Sequence, residues 1–234
     1  MLFIYKNVER RGIKMSKNIA IDGPAGAGKS TIAKAVAKKL GYVYVDTGAM
    51  YRSMALYFIR QGFSSDDEAS ISAACDDIDI TIEYVDGAQQ VIMNGENVTG
   101  LIRTEEVGNM ASASSVYADV RTKLVALQQK LAATTDVIMD GRDIGTVVLP
   151  NADVKVYLTA SVECRGKRRY DELVAKGVEC DLEEIKKDIE ERDYRDMHRD
   201  ISPLKQADDA VLVDSSDMTI DEVIDTIVGL IENV

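Results

Sequence analysis

Residues 18–31 read NIAIDGPAGAGKST, and they restrict the fold more than any other stretch of the chain. A short apolar run, Ile19-Ala20-Ile21, leads into Asp22 and a glycine-rich turn, after which Lys29, Ser30 and Thr31 open an amphipathic segment. Gly23, Gly28, Lys29 and Ser30 satisfy the spacing G-x-x-x-x-G-K-[ST]. Glycines let the turn backbone curl until several N–H groups converge on a phosphate chain. The helix that starts near Lys29 adds free N–H groups and the positive end of its dipole. Lys29 would reach the outer phosphates as a point charge, and the Ser30 hydroxyl would ligate Mg²⁺. Gly23, Pro24, Ala25, Gly26, Ala27, Gly28, Lys29, Ser30 and Thr31 are therefore the expected cradle for ATP phosphates. As a loop residue, Lys29 is expected to bury little. The plainer alternative is a strand, turn and helix that bind nothing; the flanking strand and helix patterns weigh against it.

The rest of the chain alternates strand and helix signals. Residues 29–40 place Ile32, Ala33, Val36, Ala37 and Leu40 on one helical face, and Gly41 ends it. Residues 42–45 read as a strand, and Asp46 and Thr47 as N-caps for a helix over 49–61. A strand end of this kind faces the ligand crevice of an open α/β sheet. Arg52 falls in the first turn of that helix, where a cation gains nothing from the dipole; it points to an anion, or is simply solvated.

From Ser64 the pattern changes. A short acidic helix over 66–75 precedes strand-like runs at 78–84, 90–93 and 97–99, separated by Asp86-Gly87 and Asn94-Gly95. This is a small antiparallel insert in an α/β chain. Helices follow at 104–117 and 119–132, the second with Asp119 as a plausible cap. Ser112 and Arg121 lie there, and periodicity puts both on the surface. Residues 136–140, DVIMD, read as a buried parallel strand whose terminal Asp140 faces a nucleotide's metal, or simply starts a turn. Another buried strand covers 154–158.

Arg165, Lys167, Arg168 and Arg169 crowd a helix over 163–176, and Arg192, Asp193, Arg195, Asp196 and Arg199 a helix over 181–199. Such runs are usually solvated faces. In an acidic chain, however, two adjacent Arg-rich helices around Gly177 suggest a hinged flap that carries cations to phosphates. A strand over 210–214 and a helix over 219–231 close the chain, with Ile220, Val223, Ile224, Ile227 and Ile231 expected inward.

Bulk properties narrow the classes. A length of 234 residues suits one core with inserted subdomains. A formal charge of -12 argues against long polyanions, hence no nucleic-acid partner, while local arginine clusters can still bind small phosphates. Cys75, Cys164 and Cys180 show no metal spacing, and His198 is the lone histidine, which argues against a zinc site or a Ser-His-Asp triad. No apolar run approaches a membrane span, so no membrane partner is expected. Residues 1–14 lack signal-peptide organisation and read as a dispensable extension ahead of Met15.

With the phosphate loop, DTGAMYR, DGRDIGT and RDYRDMHR in order, the chain from about Ile19 to the last helix resembles the bacterial cytidylate kinases. The loop alone means only nucleotide binding; the ordered set, with the insert between the second and third motifs, is far more specific. The resemblance implies an α/β nucleoside-monophosphate-kinase fold: a five-stranded parallel core, a monophosphate-binding insert and a helical lid. It divides the kinase domain, 15–234, into a core (15–63, 133–162, 203–234), an insert (64–132) and a lid (163–202). It implies transfer of the γ-phosphoryl of ATP, with Mg²⁺, to CMP or dCMP by a cytoplasmic monomer. Thr47, Tyr51 and Arg52 would hold the acceptor, with Thr47 standing where the family often has Ser. Ser112, Arg121 and Asp143 would read the cytosine edge. Arg142 and Arg199 would contact the acceptor phosphate, and Arg192 and Asp196 the ribose. Asp140 would join Ser30 on the metal side, and Arg165, Arg168 and Arg169 would approach ATP. Two rivals stay open here: a P-loop kinase for another acceptor, and a regulatory P-loop ATPase without one.

Overall fold

The computed structural model describes residues 16–234; the extension expected over 1–14 lies outside them. A parallel five-stranded sheet forms the centre. Its strands are β1 (Asn18–Asp22), β2 (Val43–Asp46), β6 (Val137–Gly141), β7 (Val154–Thr159) and β8 (Val211–Asp214), in the spatial order β2-β6-β1-β7-β8. β1 is central and buried on both faces, hence its unbroken apolar run rather than an alternation. Chain order reverses beside β1, so its C-terminal end opens at the switch point where α/β folds bind ligands.

Helices cover both faces. α1 (Lys29–Leu40) and α8 (Ile220–Glu232) pack on one, with Ile32, Val36, Val223, Ile227 and Ile231 in a single cluster. α2 (Thr47–Arg60), α4 (Glu105–Ser114) and α5 (Ala118–Ala132) cover the other. α3 (Glu68–Ala74) leads into a second, antiparallel sheet of β3 (Ile80–Val85), β4 (Ala88–Met93) and β5 (Glu96–Asn97). Its apolar side, with Ile80, Val91 and Met93, joins the same cluster as Met50, Met54 and Phe58 of α2. β2 is an edge strand, and side chains from the insert satisfy its outer backbone. Tyr84 Oη donates to the Tyr44 carbonyl (2.9 Å), and the Gln89 amide accepts from Asp46 N (2.7 Å) and donates to Asp46 O (3.3 Å). α6 (Val162–Ala175) and α7 (Leu182–His198) pack on each other across Gly177. Among the described residues no helix is long and apolar enough to cross a membrane.

Several sequence expectations change. Asp119 does not cap α5: the helix begins one residue earlier, and Asp119 lies in its first turn. Thr47 is the first helical residue of α2, and Asp46 alone caps it, accepting from Ala49 N at 2.9 Å. Arg52 consequently stands about half a turn further in than expected. Ile220 is 59% exposed because the first turn of α8 projects past the sheet to the mouth of the cleft described below. The segment Ile144–Val148, left without an element by the sequence, is a π-helical turn, in which Leu149 N donates to Ile144 O five residues back.

Candidate active site

All the loops that follow the parallel strands on one side of the sheet open into a cleft of about 720 Å³. Its floor is the turn between β1 and α1. Gly23 has φ +150°, and a Cβ there would lie 1.9 Å from the Leu158 carbonyl oxygen of β7, so only glycine lets the chain leave the sheet at this point. Gly28 is the left-handed N-cap of α1 and brings no side-chain acceptor, which leaves the first-turn N–H groups open to an anion. Lys29 is not a loop residue with little burial, as expected. It starts α1, is 6% exposed, and its Nζ folds back to donate to the Pro24 carbonyl at 2.7 Å. Burial and the nearby Arg142 push its amine down to about 7, against the pull of Asp140 and Asp22.

The end of β6 faces this floor. Asp140 accepts from Ser30 Oγ (2.8 Å) and from Tyr44 Oη (2.7 Å), and its carbonyl accepts from Thr47 Oγ1 (2.7 Å). Asp140 and Asp46 are register partners on β6 and β2, so both carboxylates fall at one place. Burial, then Asp46, holds the Asp140 carboxyl above its ordinary range, and Lys29 opposes them. Asp46 is itself bound by Arg103 at 2.6 Å. Nothing in the sequence singled out Arg103; it sits just before α4 with no motif around it.

Opposite the floor, the arginines converge. Arg142 donates from Nε to Asp196 at 2.8 Å. Arg52 makes no ion pair among the described residues, and its charge is disfavoured by burial and by Arg103 and Arg142. Burial and Arg142 bring Arg192 down to about 10. Arg192 Nε and Arg199 Nη2 are buried without a hydrogen bond. This crowding of like charge is a site shaped for a multiply charged anion.

A third group lies beneath it. Asp143 forms a close ion pair with Arg121 and sits 3.9 Å from Arg199. Arg121 is 5% exposed, contrary to the surface position that periodicity gave it: α5 turns it under α4, towards β6. Ser112 and Tyr51 line the same end, and burial pushes the Tyr51 phenol up to about 12, so it stays neutral.

The helices α6 and α7 close the far side. Arg165 is buried, pairs with Asp193 at 2.5 Å, and donates to the carbonyls of Ala160 (2.9 Å) and Ala25 (3.0 Å) in the phosphate loop. Arg168 is held by Ser215, and Arg169 by Glu172 at 3.2 Å, so of the cations crowded on α6 Arg169 and Lys167, which pairs with Asp171, have the exposed, solvated pairing expected of a charge run. Of the residues given a binding or catalytic role from the sequence, Gly23 and Pro24 shape the loop from behind and do not line the cleft; the others all border it. Sequence reasoning passed over Met218, Thr219, Ile220 and Val223, which line the cleft where α8 begins, because an apolar wall at a helix start looks like ordinary core.

A parallel sheet in this order, a phosphate loop after its central strand and an arginine-lined cleft between an insert and a helical flap define a P-loop kinase fold. A solved structure of an uncharacterized protein from Eubacterium ventriosum shares it, with a TM-score of 0.52 at 12% identity over 94% of this chain and 100% of that one. The cytidylate kinase family profile matches residues 19–233. A cytidylate kinase of Leuconostoc mesenteroides is 53% identical over 92% of this chain and 96% of its own length. One of Ligilactobacillus salivarius is 51% identical over 92% and 96%. The chain belongs to the cytidylate kinase family.

Proposed function

We propose that this enzyme transfers the γ-phosphoryl group of ATP to CMP or dCMP, giving ADP and CDP or dCDP, as a cytoplasmic monomer with Mg²⁺ accompanying ATP. The observation that carries the acceptor assignment is the meeting of Arg52, Arg142, Arg192 and Arg199 in one cleft with the buried Arg121–Asp143 pair. The first group suits a phosphate dianion. The second suits cytosine, whose N4 is a donor that a carboxylate accepts, whereas uracil presents an acceptor there. Asp196, fixed by Arg142, is available to the ribose with Arg192 beside it. Thr47, Tyr51 and Ser112 complete the acceptor wall. In this reading residues 64–132 form the acceptor-binding insert and residues 163–202 the lid.

Ser30 and Asp140 fit Mg²⁺: both offer hard oxygen donors 2.8 Å apart, and Mg²⁺ commonly takes one or two protein oxygens plus water and substrate phosphates. When bound, the ion supplies charge neutralisation on the β- and γ-phosphates. The remaining work falls to the chain. The acceptor phosphate oxygen is already a nucleophile, so no strong general base is required. The loop amides and Lys29 hold the donor, the arginine group holds the acceptor in line, and their charges stabilise the spread negative charge of the transferring group. Arg165 ties the lid helices to the phosphate loop, which excludes water that would hydrolyse ATP. A coupled assay with CMP, dCMP, UMP, AMP and shikimate tests the proposal. ATP turnover rising with CMP and dCMP is expected; turnover indifferent to every acceptor would favour an ATPase switch.

A further inference from the structure

Asp22, the last residue of β1, does not line the cleft, and the mechanism above leaves it without a role. Its carboxylate is 5% exposed and reaches across the sheet to the segment after β6. Oδ1 accepts from the amide of Ile144 at 2.8 Å, and Oδ2 from the amide of Gly145 at 2.7 Å. These two amides directly follow Arg142 and Asp143, at the start of the π-helical turn. One side chain thus joins the head of the phosphate loop to the loop that carries two acceptor residues.

We infer that Asp22 is a positioning residue for the acceptor: as an ionised carboxylate it fixes the backbone after Arg142 and Asp143, and so the grip on the phosphate and the base. The inference rests on the assignment of Arg142 and Asp143 to the acceptor. Two features make the clamp specific. Each carboxylate oxygen takes one amide, and an uncharged amide side chain would turn a donor towards one of them. Gly145 also comes close, its missing Cβ position lying 3.4 Å from Asp22 Oδ2 and 3.1 Å from the Lys155 side chain.

The charge of Asp22 is held at a cost to stability. Burial pushes its carboxyl up to about 6, although both amides favour the anion. Asp143 and Asp22 repel, while Lys29 attracts. Tyr157 faces it as a neutral phenol, and the Lys155 ammonium is turned away to Pro150 O and Asp209. A carboxyl raised by folding stabilises the fold when protonated, and that contribution is lost as pH rises through the window from 3.8 to about 6. Above it, the fold tolerates an anion it would be more stable without, as functional sites often do.

The test is steady-state kinetics of Asp22→Asn against wild type across this pH range, with thermal midpoints. At neutral pH we expect the KM for CMP to rise about tenfold, the scale of one charge-assisted hydrogen bond, and by more than the KM for ATP, which Asp22 reaches only through its pull on Lys29; the midpoint should change little, because relief of the buried charge offsets the lost amide bond. Substrate phosphates also titrate near about 6, so the readout is the wild-type to variant ratio of kcat/KM for CMP, in which their ionisation cancels. That ratio should shrink as pH falls through about 6, where wild-type Asp22 becomes neutral too. A pH-independent ratio, an unchanged KM for CMP, or KM values for CMP and ATP that rise by the same factor would overturn the inference. Asp143→Asn and Arg142→Ala run in parallel separate the two readings. If they impair CMP use and Asp22→Asn does not, the positioning role alone falls; if they do not, the acceptor assignment falls and the positioning role with it.

Discussion

Replacing Asp143 by Asn tests whether this carboxylate reads the base. Asp143 is 5% exposed and sits between Arg121 and Arg199. It does not hold Arg142, whose Nε is bound to Asp196. A carboxylate in that place can accept from cytosine N4 and repels uracil O4. The substitution keeps volume and removes one charge; the Asn amide oxygen can still accept from N4, so CMP loses the charge assistance of that bond, about 1–1.5 kcal/mol or roughly tenfold in kcat/KM. UMP loses a repulsion and should gain or stay level. Arg121 and Arg199 also lose a buried counter-charge, and that cost is common to both nucleotides. The assay is therefore the CMP:UMP ratio of kcat/KM, from which the shared cost cancels. A collapse of that ratio by about one order of magnitude is expected on these energies. If both nucleotides suffer equally, Asp143 only holds the two arginines and does not read the base.

Lys29→Met should lower phosphoryl transfer by about 10²–10³, the usual loss for one transition-state charge contact, and near-normal ADP production with CMP would refute the phosphate-loop assignment. Because burial brings the Lys29 amine down to about 7, the folded state binds fewer protons than the unfolded one between there and 10.5. Wild-type stability should therefore gain on Lys29→Met as pH rises across that window; urea midpoints at both ends check it, and a constant gap would contradict the burial argument. Arg103→Ala removes an insert-to-core contact at Asp46 and should raise the KM for CMP several-fold, about 1 kcal/mol for a half-exposed pair, while the KM for ATP stays the same. Arg165→Ala leaves Asp193 without its buried partner and should cost about 3–5 kcal/mol of stability by denaturant titration, whereas Glu96→Gln, which breaks the exposed Arg60–Glu96 pair, should cost under about 1 kcal/mol.

What the sequence determined by itself was much of what depends on neighbours in the chain. The phosphate loop, the Asp46 cap of α2, the Gly41 end of α1 and the apolar strands are local events, written in glycine placement, capping residues and periodicity. They suffice for the parallel α/β class, the antiparallel insert and the arginine-rich helix pair. The motifs even named most residues that border the cleft, since DTGAMYR and DGRDIGT each follow a strand whose end must face it. Only the tertiary structure decided which partners these residues meet. Arg121 looked like a surface residue because its helix is only weakly amphipathic; packing beneath α4 makes it a buried partner of Asp143, 22 residues away. Lys29 looked exposed because a loop position carries no information about what folds over it. Asp22 finds its amides 122 and 123 residues along the chain, and Arg165 reaches the loop 140 residues before it. Charge state follows the same division. Residue type sets each ordinary ionisation range, but burial and distant neighbours move Asp22 upward and Lys29 downward, because desolvation and Coulomb terms are properties of three-dimensional placement.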